Sequence, residues 1–529
     1  MKRSKREPAS FKTNFGLLAV ELVFIALIWI GIGFRFLNLG RESYTCDEVF
    51  NHQLAKESFR SLVTGRVSDV GNPPLFPILL HFWIKVFGRS DFSTRLISVF
   101  AGLAAIFVLY RSVLKIKNQK VFALAVSAVF SLSLLPILMA QELRSYSLLI
   151  LITTVGFCFE LEIASGLRPQ TKTPAVYFLV SLAGLFTHYL YFIFFVQQFV
   201  VLFLLLRSRG ERIAGLLKAF SLSLAVFLFW FSKHFLIPTF VSENKWNYDF
   251  YSSAQYPFPQ LREGPSFSIL SFSGALFNFD FLTNSGRGLA AGDIFLFWLI
   301  LAAAVVFAFK RLGRKRVRRQ FLIAAFHFLP MLVLAVLTPF GKLINWNNYY
   351  SFLLPFFAFL CCLPLAASGR KTKLIWFLVL VVFLGSSAFR INRYLQYPRK
   401  RDYRQLAEYL SENSSPSETF LVFSGDCGDS QYMISFYFPD LLDKFAVFCL
   451  EDYADKAEEF WRYSERKEVV VIRSIDRGSN QYDDVLNELL AGRAISEDGG
   501  LNLKSFTVEK YHSSRENGNI EIFLKPEGD

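Results

Sequence analysis

Two adjacent carboxylates, Asp47 and Glu48, stand just after the first long hydrophobic stretch of the chain. No basic residue lies between Cys46 and Gln53 to neutralise them. Acidic side chains at a membrane boundary are costly and indicate function by default. A carboxylate there can serve as general base for an acceptor hydroxyl. An exposed acidic turn that opens a helix explains the pair equally well.

Basic and aromatic groups that suit the same chemistry follow at the ends of later apolar stretches. Arg144 and Tyr146 precede one such stretch, His188 and Tyr189 form a short turn, and Lys342 lies in another turn. Arginine and lysine can hold a departing phosphate, arginine with two parallel hydrogen bonds. Each also has a simpler explanation: a snorkelling arginine, a histidine that caps a helix, and an ordinary loop lysine.

The composition requires a solvent other than water for most of the chain. Of 529 residues, 53% are hydrophobic, and apolar stretches recur that are each long enough to cross a bilayer core of about 30 Å. The last 140 or so residues are polar, enough for about one small domain. We therefore predict an α-helical polytopic membrane domain over 1–395 and a soluble α/β domain over 396–529.

The basic residues predict how the chain threads the membrane. The apolar stretch 74–88 is proline-rich and would reach only about 22 Å as a helix. If it lies along the interface, every basic cluster falls on the side of the N-terminus, as the positive-inside rule requires. This predicts a plasma-membrane protein with eleven spans, a cytoplasmic N-terminus and an extracytoplasmic C-terminal domain. The loops 38–92 and 237–292 then lie outside. The predicted spans are 16–37, 93–114, 120–139, 146–164, 174–188, 189–206, 214–236, 293–309, 321–340, 348–367 and 373–389.

The C-terminal region shows alternating helical and buried-strand patterns, which favour a small sheet covered by helices. We expect strands at 419–423, 445–448 and 468–472, and helices at 402–411, 453–463 and 483–491. No glycine-rich phosphate loop is present. An oxidising compartment would allow Cys427 and Cys449 to form a disulfide.

Two other classes of function are excluded or disfavoured. The net charge of +14 arises mostly from clusters between apolar stretches, which is the pattern that orients membrane proteins and not a nucleic-acid surface. The six cysteines show no zinc-ligand spacing. A divalent metal is possible, but the sequence shows no candidate metal ligands beyond Asp47 and Glu48, so we predict no cofactor.

Several ordered pieces of sequence match one family. They are the acidic pair Asp47-Glu48; Asn72-Pro73-Pro74-Leu75 followed by His81-Phe82-Trp83; the run from Phe87 to Leu96; Gln141-Glu142-Leu143-Arg144-Ser145-Tyr146; Thr187-His188-Tyr189; and the run from Asn348 to Pro355. Over about 45–360 the chain resembles the C-type (GT-C) integral membrane glycosyltransferases of the protein O-mannosyltransferase and lipid A aminoarabinose transferase superfamily, in particular the bacterial RgtA/B/C/D-like group. The family's fold implies interfacial helices after the first span.

The resemblance implies roles for individual residues. Asp47 would be the general base and Glu48 would orient it or share contacts with the acceptor. Arg144 would bind the donor phosphate. Lys342 is a second candidate, because Asn348 stands where the family has arginine. Lys85 and Arg95 would hold the phosphate or anchor the interface, and the substrate pocket would draw on His52, Asn72, His81, Tyr146, His188, Tyr189, Asn348 and Tyr349.

The expected function is transfer of a sugar, with inversion, from a polyprenyl-phosphate donor to an extracytoplasmic glycan, lipid or protein acceptor, as in lipopolysaccharide assembly. The donor would have to be a lipid, since soluble nucleotide sugars are not expected outside the cytoplasm and no nucleotide-binding motif is present. Two alternatives stay open. A transporter or lipid flippase would usually show paired halves with midplane charges, and a non-catalytic envelope-assembly subunit would use the acidic pair only structurally.

Overall fold

The computed structural model of the protein describes residues 11–64, 72–117, 119–166, 173–208, 213–233, 306, 318–328, 351–367, 369–396, 403–415, 417, 419–424, 427–449, 468–474, 493–495, 501–503 and 506–513. The chain forms two compact units. The helical unit comprises Met1–Leu39 and His52–Tyr394, and the α/β unit comprises Gly40–Asn51 and Leu395–Asp529.

The helical unit is built from helices, most of them apolar. They are α1 (Phe11–Phe36), α2 (Cys46–Lys56, which begins in the α/β unit), α3 (Phe59–Thr64), α4 (Leu75–Phe87), α5 (Asp91–Lys117), α6 (Lys120–Ser131), α7 (Leu134–Ala140), α8 (Tyr146–Ala164), α9 (Thr173–Leu185), α10 (Tyr191–Arg207), α11 (Ala214–Phe231), α12 (Leu354–Ala367) and α13 (Arg370–Gln396). Residues 318–328 are also helical. Buried phenylalanine, leucine and alanine side chains from these helices form one continuous core.

Within the described ranges, five helices are long and apolar enough to cross a membrane, and six if α6 and α7 count as one span. Four further apolar helices are shorter than 18 residues. The prediction of a polytopic helical membrane protein is confirmed. Most of the predicted spans 293–309 and 321–340 lies outside the described residues, so the count of eleven stays a prediction.

The stretch 74–88, predicted to lie along the interface, forms α4. Its 13 residues extend about 20 Å, less than the hydrocarbon thickness of about 30 Å. Phe76, Leu80 and Ile84 are buried on one face, whereas Phe82 and Val86 are exposed on the other. An apolar helix of this length with exposed aromatic side chains fits a membrane-surface position.

The predicted single span 120–139 is wrong in one respect, because it is broken into α6 and α7, which meet at 64°. The cause is Pro136, whose ring would clash with the carbonyl of Leu132 in a continuous helix. The break frees the carbonyl of Ser131 from its helical partner, and Arg35 donates to it from Nη1 over 2.8 Å. Arg35 is fully buried, and its Nη1 donates both to this carbonyl and to that of Gly31, over 2.6 Å.

The α/β unit contains a mixed sheet with strand order β2-β1-β3-β6-β4, and β5 pairs with β6. The strands are β1 (Thr419–Ser424), β2 (Ala446–Cys449), β3 (Glu468–Ser474), β4 (Arg493–Ile495), β5 (Leu501–Leu503) and β6 (Phe506–Ser513). β1 runs parallel to β2 and β3, with Phe420 opposite Ala446 and Val469. β6 is antiparallel to β3, β4 and β5.

The predicted strands agree with β1, β2 and β3, and the predicted helix 402–411 with α14 (Tyr403–Asn413). A second helix, α15 (Cys427–Tyr437), and the antiparallel strands β4 to β6 are not in the prediction. The predicted helices 453–463 and 483–491 lie outside the described residues. Cys449 is disulfide-bonded; the side chain of Cys427, its predicted partner, also lies outside the described residues.

Candidate active site

The acidic pair lies in the first turn of helix α2, and its two carboxylates differ in burial and in hydrogen bonding. The Glu48 side chain accepts a hydrogen bond from the backbone N–H of Thr45 over 2.8 Å. Thr45 precedes the first helical residue, so Thr45 and Glu48 are spaced as in a capping box, in which the glutamate binds back to the N-cap amide. Glu48 is completely buried. Its contact therefore stabilises the start of the helix.

Asp47 occupies the same first turn, but its side chain is exposed. Its backbone carbonyl accepts a hydrogen bond from the side chain of Asn51 over 2.8 Å, which reinforces the first turn. The positive end of the helix dipole favours a carboxylate at this position. A general base must reach the hydroxyl that it deprotonates, and of the two acids Asp47 has the side chain that a substrate can reach.

In the helical unit, three of the predicted site residues come together where α8 begins and α9 joins α10. The guanidinium of the half-buried Arg144 lies over the ring of Tyr146, 4.9 Å from its centroid. The ring of His188 is 5.3 Å from that of Tyr146, centroid to centroid. Residues more than 40 positions apart in sequence thus form one cationic and aromatic cluster.

His188 is held as a neutral imidazole. It is 5% exposed, and its Nδ1 accepts the backbone N–H of Leu190 over 3.1 Å, which leaves the proton on Nε2. Burial lowers its pKa from 6.5 to about 3, and the positive charge of Arg144 acts in the same direction. The cluster therefore offers a guanidinium and an imidazole N–H, both of which donate hydrogen bonds and suit an anionic oxygen.

Two further histidines fix the short helices that follow α1. His81 of α4 donates from Nδ1 to the carbonyl of Ala55 in α2 over 2.9 Å. His52 of α2 is buried, and its pKa is lowered to about 4 by burial and by the positive charges of Lys56 and Arg89. The hydrogen bond of His81 supports the packing of α2 against α4.

The remaining predicted residues divide into three groups. Arg95 is buried and donates from Nη1 to the carbonyl of Leu39 over 2.8 Å, which favours the anchoring alternative over phosphate binding. Lys85 is exposed over the ring of Phe82, Tyr189 packs against Phe227 and Phe231, and Asn72 is half-buried. Lys342, Asn348 and Tyr349 lie outside the described residues.

The sequence analysis missed a buried pair inside the bundle. The side chains of Glu160 in α8 and His327 approach to 2.6 Å, and both are completely buried. The rings of Phe157, Phe194 and Phe356 surround His327. The available signal was the presence of two ionisable residues within apolar stretches, which normally pair with one another.

The described residues contain no group of three or more histidine, cysteine or acidic side chains placed to hold a metal ion.

No protein-family model matches the chain, and no curated protein matches it in sequence. Among solved structures, ArnT from Cupriavidus metallidurans in the apo state matches with a TM-score of 0.53 at 13% identity, over 95% of this chain and 98% of that one. ArnT bound to undecaprenyl phosphate matches with a TM-score of 0.53 at 12% identity, over 94% and 99% of the two chains. AglB from Archaeoglobus fulgidus gives a TM-score of 0.45 at 11% identity, over 96% and 75% of the two chains. The ArnT match shows the fold, and the expected GT-C architecture is confirmed.

Proposed function

We propose that this chain is a membrane glycosyltransferase that moves a sugar from a polyprenyl-phosphate carrier to an acceptor on the outer face of the plasma membrane. The observation that carries the proposal is the cluster of Arg144, Tyr146 and His188, a half-buried cation beside a neutral imidazole in a GT-C fold. ArnT, which shares the fold, binds undecaprenyl phosphate. A phosphate on a lipid carrier fits both the hydrogen-bond donors of the cluster and the ligand of ArnT.

The reaction is a single displacement at the anomeric carbon. Asp47 takes the proton of the acceptor hydroxyl as its oxygen forms a bond to that carbon. The bond between the anomeric carbon and the phosphate oxygen breaks, and both of its electrons go to the phosphate. Arg144 and the Nε2–H of His188 stabilise the negative charge that develops on the leaving oxygen. Attack opposite the leaving group inverts the anomeric centre.

The outer face is supported by two independent features. The basic clusters all lie on the N-terminal side of the predicted topology, which the positive-inside rule assigns to the cytoplasm. The disulfide of Cys449 in the α/β unit is typical of an oxidising compartment. An acceptor glycan, lipid or protein would meet the carrier lipid there.

The test is a transfer assay with the purified full-length protein and a panel of undecaprenyl-phosphate-linked sugars. We expect acceptor-dependent release of undecaprenyl phosphate, detected by mass spectrometry. Arg144→Gln should lower the rate by about 10²-fold, since it removes a charged donor from the leaving oxygen. Glu162→Gln, which alters an exposed ion pair with Lys115, serves as the control and should retain full activity. Release that does not respond to Arg144→Gln would remove the phosphate assignment.

Transport is the second candidate function, and the buried Glu160–His327 pair is the observation that favours it. Ionisable pairs inside a bundle mark ion or proton pathways in transporters. Under that reading, Glu160→Gln would abolish flux of a polyprenyl-linked lipid across proteoliposomes, whereas Asp47→Asn would leave it unchanged. For a glycosyltransferase, Asp47→Asn abolishes activity in the transfer assay, whereas Glu160→Gln leaves it unchanged.

A further inference from the structure

The segment that carries Asp47 belongs to the α/β unit. Residues Gly40–Asn51 group with Leu395–Asp529, although they follow the first span in sequence. Their contacts with α14 and α15 link residues 361 and 393 positions apart. This grouping raises the question of what the C-terminal domain does for the acidic pair.

Tyr437, the last residue of α15, makes the central contact. Its hydroxyl accepts the backbone N–H of Tyr44 over 2.7 Å. The two tyrosine rings stack at 6.4 Å with 20° between their planes, and Phe436 contacts the ring of Tyr44 edge-on at 5.8 Å. Tyr44 is 1% exposed, so this amide has no access to water and depends on a protein acceptor.

A second contact holds the neighbouring residue. The backbone N–H of Arg404 in α14 donates to the hydroxyl of the buried Ser43 over 3.1 Å. The guanidinium of Arg404 lies 5.3 Å from the centroid of the Tyr437 ring. Arg404 therefore contacts both Ser43, through its backbone, and Tyr437, through its side chain. Ser43 and Tyr44 immediately precede Thr45, where the capping box with Glu48 begins.

We propose that Tyr437 is a positioning residue for Asp47, and that the C-terminal domain fixes the catalytic acid through the two residues before helix α2. Two residues anchored before the N-cap determine where the helix starts and in which direction its first turn points. Asp47 lies in that turn with its side chain exposed. The functional half of this inference rests on the proposed function, whereas the anchoring half does not.

Cys46, beside Asp47, provides a reporter that is independent of activity. It is half-buried and forms no disulfide, and the other described cysteines that form none, Cys158, Cys361 and Cys362, are buried. The rate at which a maleimide labels Cys46 in the purified full-length protein therefore measures how firmly the segment is held. Cys46→Ser gives the background.

Tyr437→Ala should raise the labelling rate by about tenfold, as expected when a segment loses the contacts that protect it from local opening. Tyr437→Phe keeps the ring but not the hydroxyl and should give a smaller rise. Ser411→Ala is the matched control: it removes a hydroxyl from α14 that bonds only within its own helix, to the carbonyl of Glu408. It should label like the unchanged protein.

Activity is measured on the same variants with whichever undecaprenyl-phosphate-linked sugar supports transfer. Tyr437→Ala should lower kcat by about 10²-fold, the scale of a displaced catalytic group, with the KM for the donor unchanged. Labelling equal to that of Ser411→Ala, or a change confined to KM, would overturn the proposal. If Asp47→Asn keeps its activity, the proposed function fails, and the labelling rates alone still decide whether Tyr437 anchors the segment.

Discussion

At the scale of single residues, the two adjacent acids that look equivalent in sequence are separated by their surroundings. The Glu48 carboxylate is buried and accepts a hydrogen bond from the Thr45 amide, whereas the side chain of Asp47 is exposed. The spacing of Thr45 and Glu48 is a recognisable capping box, so this difference could have been predicted from the sequence. The contacts of Tyr44 with Tyr437 could not, because nothing local encodes a hydrogen bond between residues so far apart.

Replacement of each acid by its amide should therefore give unequal results. Asp47→Asn removes the proposed general base and should lower kcat by about 10²–10⁴-fold. Glu48→Gln should retain most of the activity, because glutamine also completes a capping box. The measurement is initial transfer rate for both variants, with circular dichroism to verify folding. Equal losses in the two variants would mean that Glu48 also takes part in the chemistry.

The stability of the protein should fall in acid in a manner set by His188. Its pKa is lowered to about 3 in the folded chain from 6.5, so between these values the unfolded chain binds more protons. Stability is therefore lost as the pH falls through this window, by up to about 1.4 kcal/mol per pH unit.

His188→Asn should flatten this dependence, because an asparagine oxygen can still accept the Leu190 amide and does not titrate in this window. Thermal unfolding at pH 5 and pH 7 measures the effect. Part of the dependence should persist through His52, whose pKa is also lowered, to about 4. An unchanged pH slope in His188→Asn would contradict the assignment.

At the scale of elements, the apolar stretches predicted most helices because length and hydropathy determine whether a segment can cross a membrane. The break between α6 and α7 was missed because the length and hydropathy of the 20-residue stretch predicted one continuous span, in spite of Pro136. The antiparallel strands β4 and β5 were missed since each is three residues long. Strands so short leave no alternating pattern to detect.

The Glu160–His327 pair should couple α8 to the helix at 318–328. Glu160→Leu leaves His327 buried without its partner and should destabilise the protein by about 3–5 kcal/mol. The double variant Glu160→Leu/His327→Phe should recover much of this loss, because no polar group is then stranded. Chemical or thermal unfolding in detergent measures the cycle.

Glu162 supplies the control for that cycle. It lies two residues further along α8, and its ion pair with Lys115 is 24% and 58% exposed at the two side chains. Glu162→Leu should change stability by no more than about 1 kcal/mol, as for other surface pairs. Additive losses in the Glu160 and His327 variants would refute the coupling.

At the scale of the whole molecule, composition and the placement of basic residues predicted a polytopic helical membrane protein, and the family resemblance of the ordered motifs implied the GT-C fold. Residues 40–51 lie within the predicted membrane domain 1–395 but group with the C-terminal unit. Hydropathy reports which segments leave water and carries no information on which folded unit a polar loop joins. The C-terminal α/β unit therefore supports the segment with the acidic pair.

The most direct measurement is mass spectrometry of envelope glycans and polyprenyl-phosphate lipids from cells that lack this protein, supplied with either the unchanged chain or Asp47→Asn. We expect one sugar to be absent from the glycans of the deficient cells and of cells carrying Asp47→Asn. Its polyprenyl-phosphate-linked form should accumulate in both, and the unchanged chain should restore the wild-type profile. Glycans and carrier lipids that are identical in all strains, or full restoration by Asp47→Asn, would contradict the account.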